Sequence, residues 1–143
     1  MKNLILIISV LALAGAASAQ QYNPVPIYTQ GTNAIAGSAT VTPATTAVVV
    51  TKFDNVAFQF TAHSTADATN AVTANFAKSV DGVTYETTPS VALPVTLNGT
   101  NAVSAVTNLS TGAVGYLKLK SIVNSDTNAV SGASIMAVKK YSH

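Results

Sequence analysis

The chain has no cysteine, no arginine and no tryptophan among its 143 residues. Without cysteine it cannot form disulfides, thiolate nucleophiles or cysteine-based metal sites. Without arginine, and with a net charge of only +2, it lacks the basic composition typical of nucleic-acid-binding domains. Aromatic residues make up only 6% of the chain, so surfaces that stack on sugar rings are scarce. Because arginine is absent and the net charge is small, we expect no nucleic-acid partner.

Charge of either sign is also scarce. Only 8% of the residues are charged, against roughly 25% in average soluble proteins. Hydrophobic residues reach 48%, whereas disordered chains combine low hydrophobicity with high net charge. The composition predicts a folded domain with a polar, nearly uncharged surface. Because net charge keeps proteins apart, this surface favours self-association, and a soluble monomer rich in Thr and Asn is the alternative.

The residues that could carry catalysis are few and scattered. The histidines are His63 and His143. Residues 63–67 collect a Ser, a His and an Asp, but a catalytic triad is a spatial arrangement, and a polar turn explains this stretch. Asp81 and Glu86 could approach each other across a hairpin, although the turn itself accounts for Asp81. We predict that the protein is not an enzyme and has no metal and no cofactor.

The first residues have the three parts of a secretory signal peptide. A short basic segment, Met1–Asn3, precedes the apolar run Leu4–Ala14, and Ala17-Ser18-Ala19 predicts cleavage before Gln20. The apolar run is too short to span roughly 30 Å of hydrocarbon comfortably. Residues 1–19 are therefore predicted to be a signal peptide. The mature protein is expected to be secreted, extracellular or at the cell surface, or in a virion, with no stable membrane span.

Residues 20–37 are predicted to form an extended N-terminal arm. Two prolines, two positions apart, favour extended backbone. Such arms can add a strand to an exposed sheet edge of a neighbouring subunit. A poorly ordered terminus is the alternative. The candidate assembly residues of the arm are Tyr22, Pro24, Val25, Pro26, Ile27 and Tyr28.

Residues 38–143 show the alternation of a β-domain. Val56, Phe58 and Phe60 alternate with more polar residues, which predicts a strand with one buried face. Pro94 interrupts the strand at 91–97 and marks it as an edge strand or a bulge. Strands are predicted at 38–42, 44–51, 56–61, 72–77, 83–87, 91–97, 101–107, 115–123 and 133–141. This spacing predicts an all-β fold, an antiparallel β-sandwich of about eight strands, either Ig-like or jelly-roll.

Two tight hairpins and one basic surface are expected within this domain. Asp81-Gly82 and Asn98-Gly99 are hairpin signals because Gly accepts positive φ, and Val83–Thr87 is the predicted return strand of the first. If the last two strands pair, their lysines form a stripe that could contact acidic glycans or a neighbouring subunit. Lysines that prevent unwanted edge pairing are the alternative. The candidate partner surface is Tyr116, Lys118, Lys120, Lys139, Lys140 and Tyr141.

Two stretches carry a resemblance to known proteins. The segment from Phe76 to Glu86, with Ser79-Val80-Asp81-Gly82 at its centre, resembles a hairpin of bacterial and phage β-sandwich modules. Asn98-Gly99-Thr100 and Gly115–Leu119 resemble segments of small phage-type virion proteins. The resemblance implies a fold shared by sugar-binding modules and by virion or surface structural proteins. Most virion proteins are not exported, so the leader departs from that pattern.

The sequence therefore predicts a non-enzymatic structural subunit of an extracellular or virion assembly, such as a filament, surface layer or capsid component. It would associate with its own copies, as a homo-oligomer or polymer, through β-edges and the arm. The alternative is a secreted carbohydrate-binding or adhesion module with a glycan as its partner. Tyr85, Tyr116 and Tyr141 are then the candidates for stacking on sugar rings.

Overall fold

The computed structural model describes residues 24–45, 47–51 and 53–141, without the side chains of Asp54, Lys140 and Tyr141. The predicted signal peptide and Tyr22 lie outside the described residues. Within these ranges the chain forms strands and no helix, so no helix there could cross a membrane. The strands are β1 (Val25–Thr29), β2 (Thr40–Val41), β3 (Val48–Val49), β4 (Phe53–Ser64), β5 (Ala71–Ser79), β6 (Val91–Thr96), β7 (Val103–Ser110), β8 (Tyr116–Asn124) and β9 (Val130–Tyr141).

These nine strands form two antiparallel sheets. Sheet 1 has four strands in the order β1-β9-β4-β7. Sheet 2 has five strands: β8 pairs on one side with both β2 and β3 and on the other with β5, which pairs with β6. Residues 42–47 separate β2 from β3, and Pro43 within them has no N–H to donate to the sheet. Of the strand predicted at 44–51, β3 covers Val48–Val49.

The two sheets enclose one hydrophobic core, which makes the fold sandwich-like. Every second residue of the long strands points inward, as the alternation predicts. Phe58 and Phe60 of β4 are 1% exposed, and Phe76 of β5 is fully buried. The rings of Phe58 and Phe76 meet between the sheets, with centroids 5.1 Å apart and planes inclined at 49°. Leu117 and Leu119 line the same core from β8.

The edge position predicted from Pro94 is confirmed, because β6, which contains it, is an edge strand of sheet 2. The hairpin predicted at Asn98-Gly99 is confirmed only at its turn, where Asn98 and Asn101 form an isolated antiparallel bridge; the expected pairing of the two flanking strands is wrong. Gly99 does turn the chain with a φ of +56°, but β6 and β7 lie in different sheets. The turn therefore carries the chain from one sheet to the other.

The predicted return strand Val83–Thr87 is also wrong. Residues 80–90 form a loop, and the antiparallel partner of β5 is β6. The Asp81 carboxylate accepts the backbone N–H groups of Val83 and Thr84, both at 2.9 Å. Those two donors are therefore bound within the loop and do not join a ladder.

Candidate functional site

The structure places His63 next to a serine, but this serine, Ser131, lies outside the stretch 63–67. His63 Nε2 lies 2.8 Å from Ser131 Oγ, across the pair β4–β9. In the described ranges no carboxylate hydrogen-bonds to His63, so a third group that would orient the ring is missing from this contact. Ser64 instead donates to the carbonyl of Ala129 at 3.1 Å. The described residues also contain no cluster of three His, Cys, Asp or Glu that could hold a metal ion.

The Asp81 carboxylate stabilises the loop after β5 by accepting hydrogen bonds within it. Besides the two backbone N–H groups of Val83 and Thr84, its carboxylate accepts the Ser79 hydroxyl at 2.8 Å. These bonds favour the ionised form and lower the pKa of Asp81 to about 2. Asp81 is thus engaged by its own loop, as the turn interpretation predicts.

Two further carboxylates are engaged in the same way. Glu86 accepts the Ser90 hydroxyl at 2.6 Å and the Lys78 N–H at 3.0 Å, and these bonds lower its pKa. Asp126 accepts the N–H of Asn128 at 2.9 Å, and this bond, with others from the backbone, lowers the pKa of Asp126. Each of these three acids thus holds its own loop or turn together.

We expect stability to fall in acid. Because the pKa values of Asp81, Glu86 and Asp126 are lower in the folded chain than in the unfolded one, their contribution is complete above about pH 5. It is lost as the pH falls from about 4 towards 2, where the folded carboxylates take up protons. Urea unfolding at a series of pH values should show a plateau and then this decrease. Asp81→Asn keeps an acceptor oxygen but does not titrate, so it should lessen the decrease, and a profile flat to pH 2 would contradict the assignment.

The residues predicted as one basic surface are divided between the two sheets. Tyr116, Lys118 and Lys120 lie on β8 in sheet 2, whereas Lys139, Lys140 and Tyr141 lie on β9 in sheet 1. The stripe expected from the pairing of these strands is therefore wrong, because the neighbours of β9 are β1 and β4. The ammonium of Lys139 lies 5.3 Å from the ring centre of Phe53.

On sheet 2, the loop 80–90 adds an aromatic residue to the lysines of β8. The Lys118 ammonium lies 5.6 Å from the ring centre of Tyr85. The ring of Tyr116 lies beneath Gly82, where a Cβ would come within 3.0 Å of it. Burial, with a smaller effect from Tyr116, raises the pKa of Tyr85. The loop thus joins two of the three predicted sugar-stacking tyrosines to one predicted lysine.

The predicted arm is placed on the protein's own sheet. Val25 and Pro26 pair with Ala137 and Met136 of β9, and the register shifts between Pro26 and Tyr28. Ile27 and Tyr28 pack against the core. Exchange of this strand with a neighbouring copy remains a prediction.

Of the strand edges, three carry features that hinder pairing with another chain. Edge β6 contains Pro94, which offers no N–H. Edge β1 contains Pro26 and a register shift, and β2 and β3 are two residues each, separated by a segment with Pro43. Lysine, proline and bulges are all absent from the fourth edge, β7, which pairs without interruption with β4 from Val103 to Ser110.

The outer face of sheet 1 beside β7 carries no charge in its central rows. Strand register aligns side chains across the sheet, and we call the following three rows the uncharged face. They are Ser104–Thr61–Ser134–Thr29, Val106–Gln59–Met136–Pro26 and Asn108–Ala57–Val138. Val106 is 66% exposed and Met136 is 38% exposed.

Sequence reasoning missed this edge and face. The sequence signal for this edge is that residues 103–110 contain neither lysine nor proline. An absence of this kind has meaning only when the topology shows that the strand has a free side.

Comparison with known proteins does not place the chain in a family. No protein-family model matches it, and no curated protein matches its sequence significantly.

Proposed function

We propose that this protein is a non-enzymatic structural subunit of an extracellular or virion assembly, such as a filament, surface layer or capsid component. It associates with its own copies through β-edges, and the N-terminal arm contributes. The observation that carries the proposal is the unprotected edge β7 beside the uncharged face. Soluble monomers usually protect such an edge, because its unpaired N–H and C=O groups can pair with another chain.

We further propose that the two sheets have jelly-roll rather than Ig-like topology. With β2 and β3 counted as one interrupted strand, the pairs β1–β9, β2/β3–β8, β4–β7 and β5–β6 are nested in chain order. A long antiparallel hairpin wrapped into two sheets produces this nesting. Jelly rolls occur in viral capsid and lectin domains, so the topology is consistent with a structural subunit. Fold alone does not decide function.

The test of self-association is Val106→Lys. Val106 is 66% exposed, so lysine should leave folding intact while placing a charge on the outer face of the free edge. We expect the association constant of the mature protein to fall by at least about tenfold, since edge lysines oppose strand pairing. Sedimentation velocity over a range of concentrations measures this effect.

The matched control is Val83→Lys, which adds the same charge at a position that is 83% exposed on the loop 80–90. It should associate like the wild type. A wild-type protein that stays monomeric at all concentrations, or an equal loss in both variants, would overturn the proposal that β7 drives assembly.

The second candidate is a carbohydrate-binding or adhesion module that binds acidic sugars. It is favoured by Lys118 over the ring of Tyr85 and by the adjoining cavity of about 480 Å³, which Tyr85 and Lys78 line. A tyrosine ring can stack on a sugar while a lysine meets its carboxylate. A monomeric wild type that binds acidic oligosaccharides, and loses binding in Lys118→Ala but not in Thr96→Ala, would favour this function over the first.

A further inference from the structure

We propose that two copies of this chain join through β7 in an antiparallel, two-fold pairing centred on Val106. The two copies of sheet 1 then become one continuous sheet of eight strands. This inference rests on the proposed self-association and specifies its partner and register.

The geometry of β7 suits such a pairing. It pairs with β4 alone among the described strands, and its eight residues run without a bulge. A two-fold contact uses the same patch on both subunits, so the patch must complement itself. The described side chains of β7 carry no charge, so two copies meet without electrostatic repulsion.

Continuity of the core restricts the register. Val103, Ala105, Thr107 and Leu109 are half-buried on the inner side of β7, and the residues between them are exposed on the outer side. Facing residues in an antiparallel pair lie on the same side of the sheet. A sheet that keeps both cores on one side must therefore pair inner with inner and outer with outer residues.

Among the registers that satisfy this condition, two use nearly the whole strand, one centred on Val106 and one on Thr107. The centre at Val106 gives the pairs Val106 with Val106, Ala105 with Thr107, Ser104 with Asn108, and Val103 with Leu109. Apolar residues then face apolar residues on the inner side near the ends, and a hydroxyl faces an amide on the outer side. The centre at Thr107 instead places the large, exposed Val106 opposite Asn108, whereas the centre at Val106 opposes only the small Ala105 to a polar residue, Thr107.

The pairing has a consequence for assembly. A two-fold contact closes on itself, so β7 produces a dimer and not an open polymer. The outer edges of the eight-stranded sheet are then the two copies of β1, each with Pro26 and its register shift. Growth beyond the dimer requires other contacts, among which the predicted arm is the candidate.

The absence of cysteine permits a direct test. In the proposed register Val106→Cys places two thiols directly opposite each other, with Cα atoms about 4.5–5.5 Å apart, which lies within the range of a disulfide. With oxidised glutathione, the two thiols should form one interchain disulfide while the glutathione is reduced to two thiols. Non-reducing electrophoresis of the mature protein measures the rate.

The control is Ser104→Cys, which is exposed on the same face of the same strand but should face Asn108 of the other copy. We expect Val106→Cys to cross-link at least about tenfold faster than Ser104→Cys, because a disulfide demands close Cα atoms. An equimolar mixture of Ser104→Cys and Asn108→Cys should form the mixed cross-linked dimer.

The outcomes separate the two proposals. If the wild type sediments only as a monomer, self-association itself fails. If the wild type associates but Val106→Cys cross-links no faster than Ser104→Cys, the register is overturned while self-association stands. Faster cross-linking of Thr107→Cys would assign the shifted register and overturn the one centred on Val106.

Discussion

Replacing Phe76 with alanine is expected to lower the free energy of unfolding by about 3–5 kcal/mol, the range for removing a large buried aromatic side chain. Phe76 is fully buried on β5, which has neighbours on both sides, β6 and β8. Its ring meets that of Phe58 across the space between the sheets, at 5.1 Å. Alanine at this position would leave a cavity at the junction of both sheets and would remove the aromatic contact that joins them.

The expected loss is a large part of the stability of an ordinary domain, which is about 5–15 kcal/mol. Chemical denaturation followed by circular dichroism measures it. Phe76→Leu keeps more of the buried volume and should cost clearly less than Phe76→Ala. Val83→Ala, at a position that is 83% exposed, should change stability by no more than about 0.5 kcal/mol. A Phe76→Ala protein as stable as these two would mean that the sheets do not pack through this contact.

The inward residues of the fold were predictable from sequence because they depend on a local rule. Alternation in a strand places every second side chain on the same face, and this rule assigns Phe58, Phe60 and Phe76 to the core. Pro94 was predictable for the same kind of reason, since a residue without an N–H is excluded from central strands. Neither inference needs knowledge of which strands are neighbours.

The predictions that were wrong concern strand pairing, which depends on contacts between parts of the chain that are distant in sequence. Asp81-Gly82 makes a turn, as predicted, but whether a strand returns after it depends on competition for backbone donors. The Asp81 carboxylate takes the N–H groups of Val83 and Thr84, and β6 takes the place beside β5. The lysines of β8 and β9 were separated because the chain enters a different sheet after Asn124, which local pattern does not reveal.

The candidate site could be predicted in its general character only. Scarcity of charge indicated a surface suited to self-association, but it did not say which strand has a free side. Val106 became a candidate only when the sheet order placed β7 at an edge and showed that the other edges contain proline or are short.

Replacing Asn124 with alanine is expected to destabilise the fold by at least about 3 kcal/mol, because three buried or part-buried backbone groups would each lose a partner, at about 1–3 kcal/mol apiece. Asn124 is 1% exposed at the end of β8. Its amide donates to the carbonyls of Asn128 at 2.8 Å and Ala36 at 3.0 Å. Its side-chain oxygen accepts the N–H of Asp126 at 3.0 Å. One side chain therefore ties the segment after β1 to the turn that precedes β9.

The same position distinguishes lost hydrogen bonds from lost volume. Asn124→Asp keeps the shape of the side chain and the oxygen that accepts the Asp126 N–H, but its second carboxylate oxygen would replace the donating NH2 group and face backbone carbonyl oxygens. We expect it to be at least as destabilising as Asn124→Ala at neutral pH, because a buried charge with one donor that also faces carbonyl oxygens is costly. Asn75→Ala is the control, since Asn75 is half-buried and donates one bond to Ser121 at 3.3 Å, and its loss should cost about 1 kcal/mol or less. If Asn124→Asp proved as stable as the wild type by urea unfolding, the amide could not be what holds Ala36 against this turn.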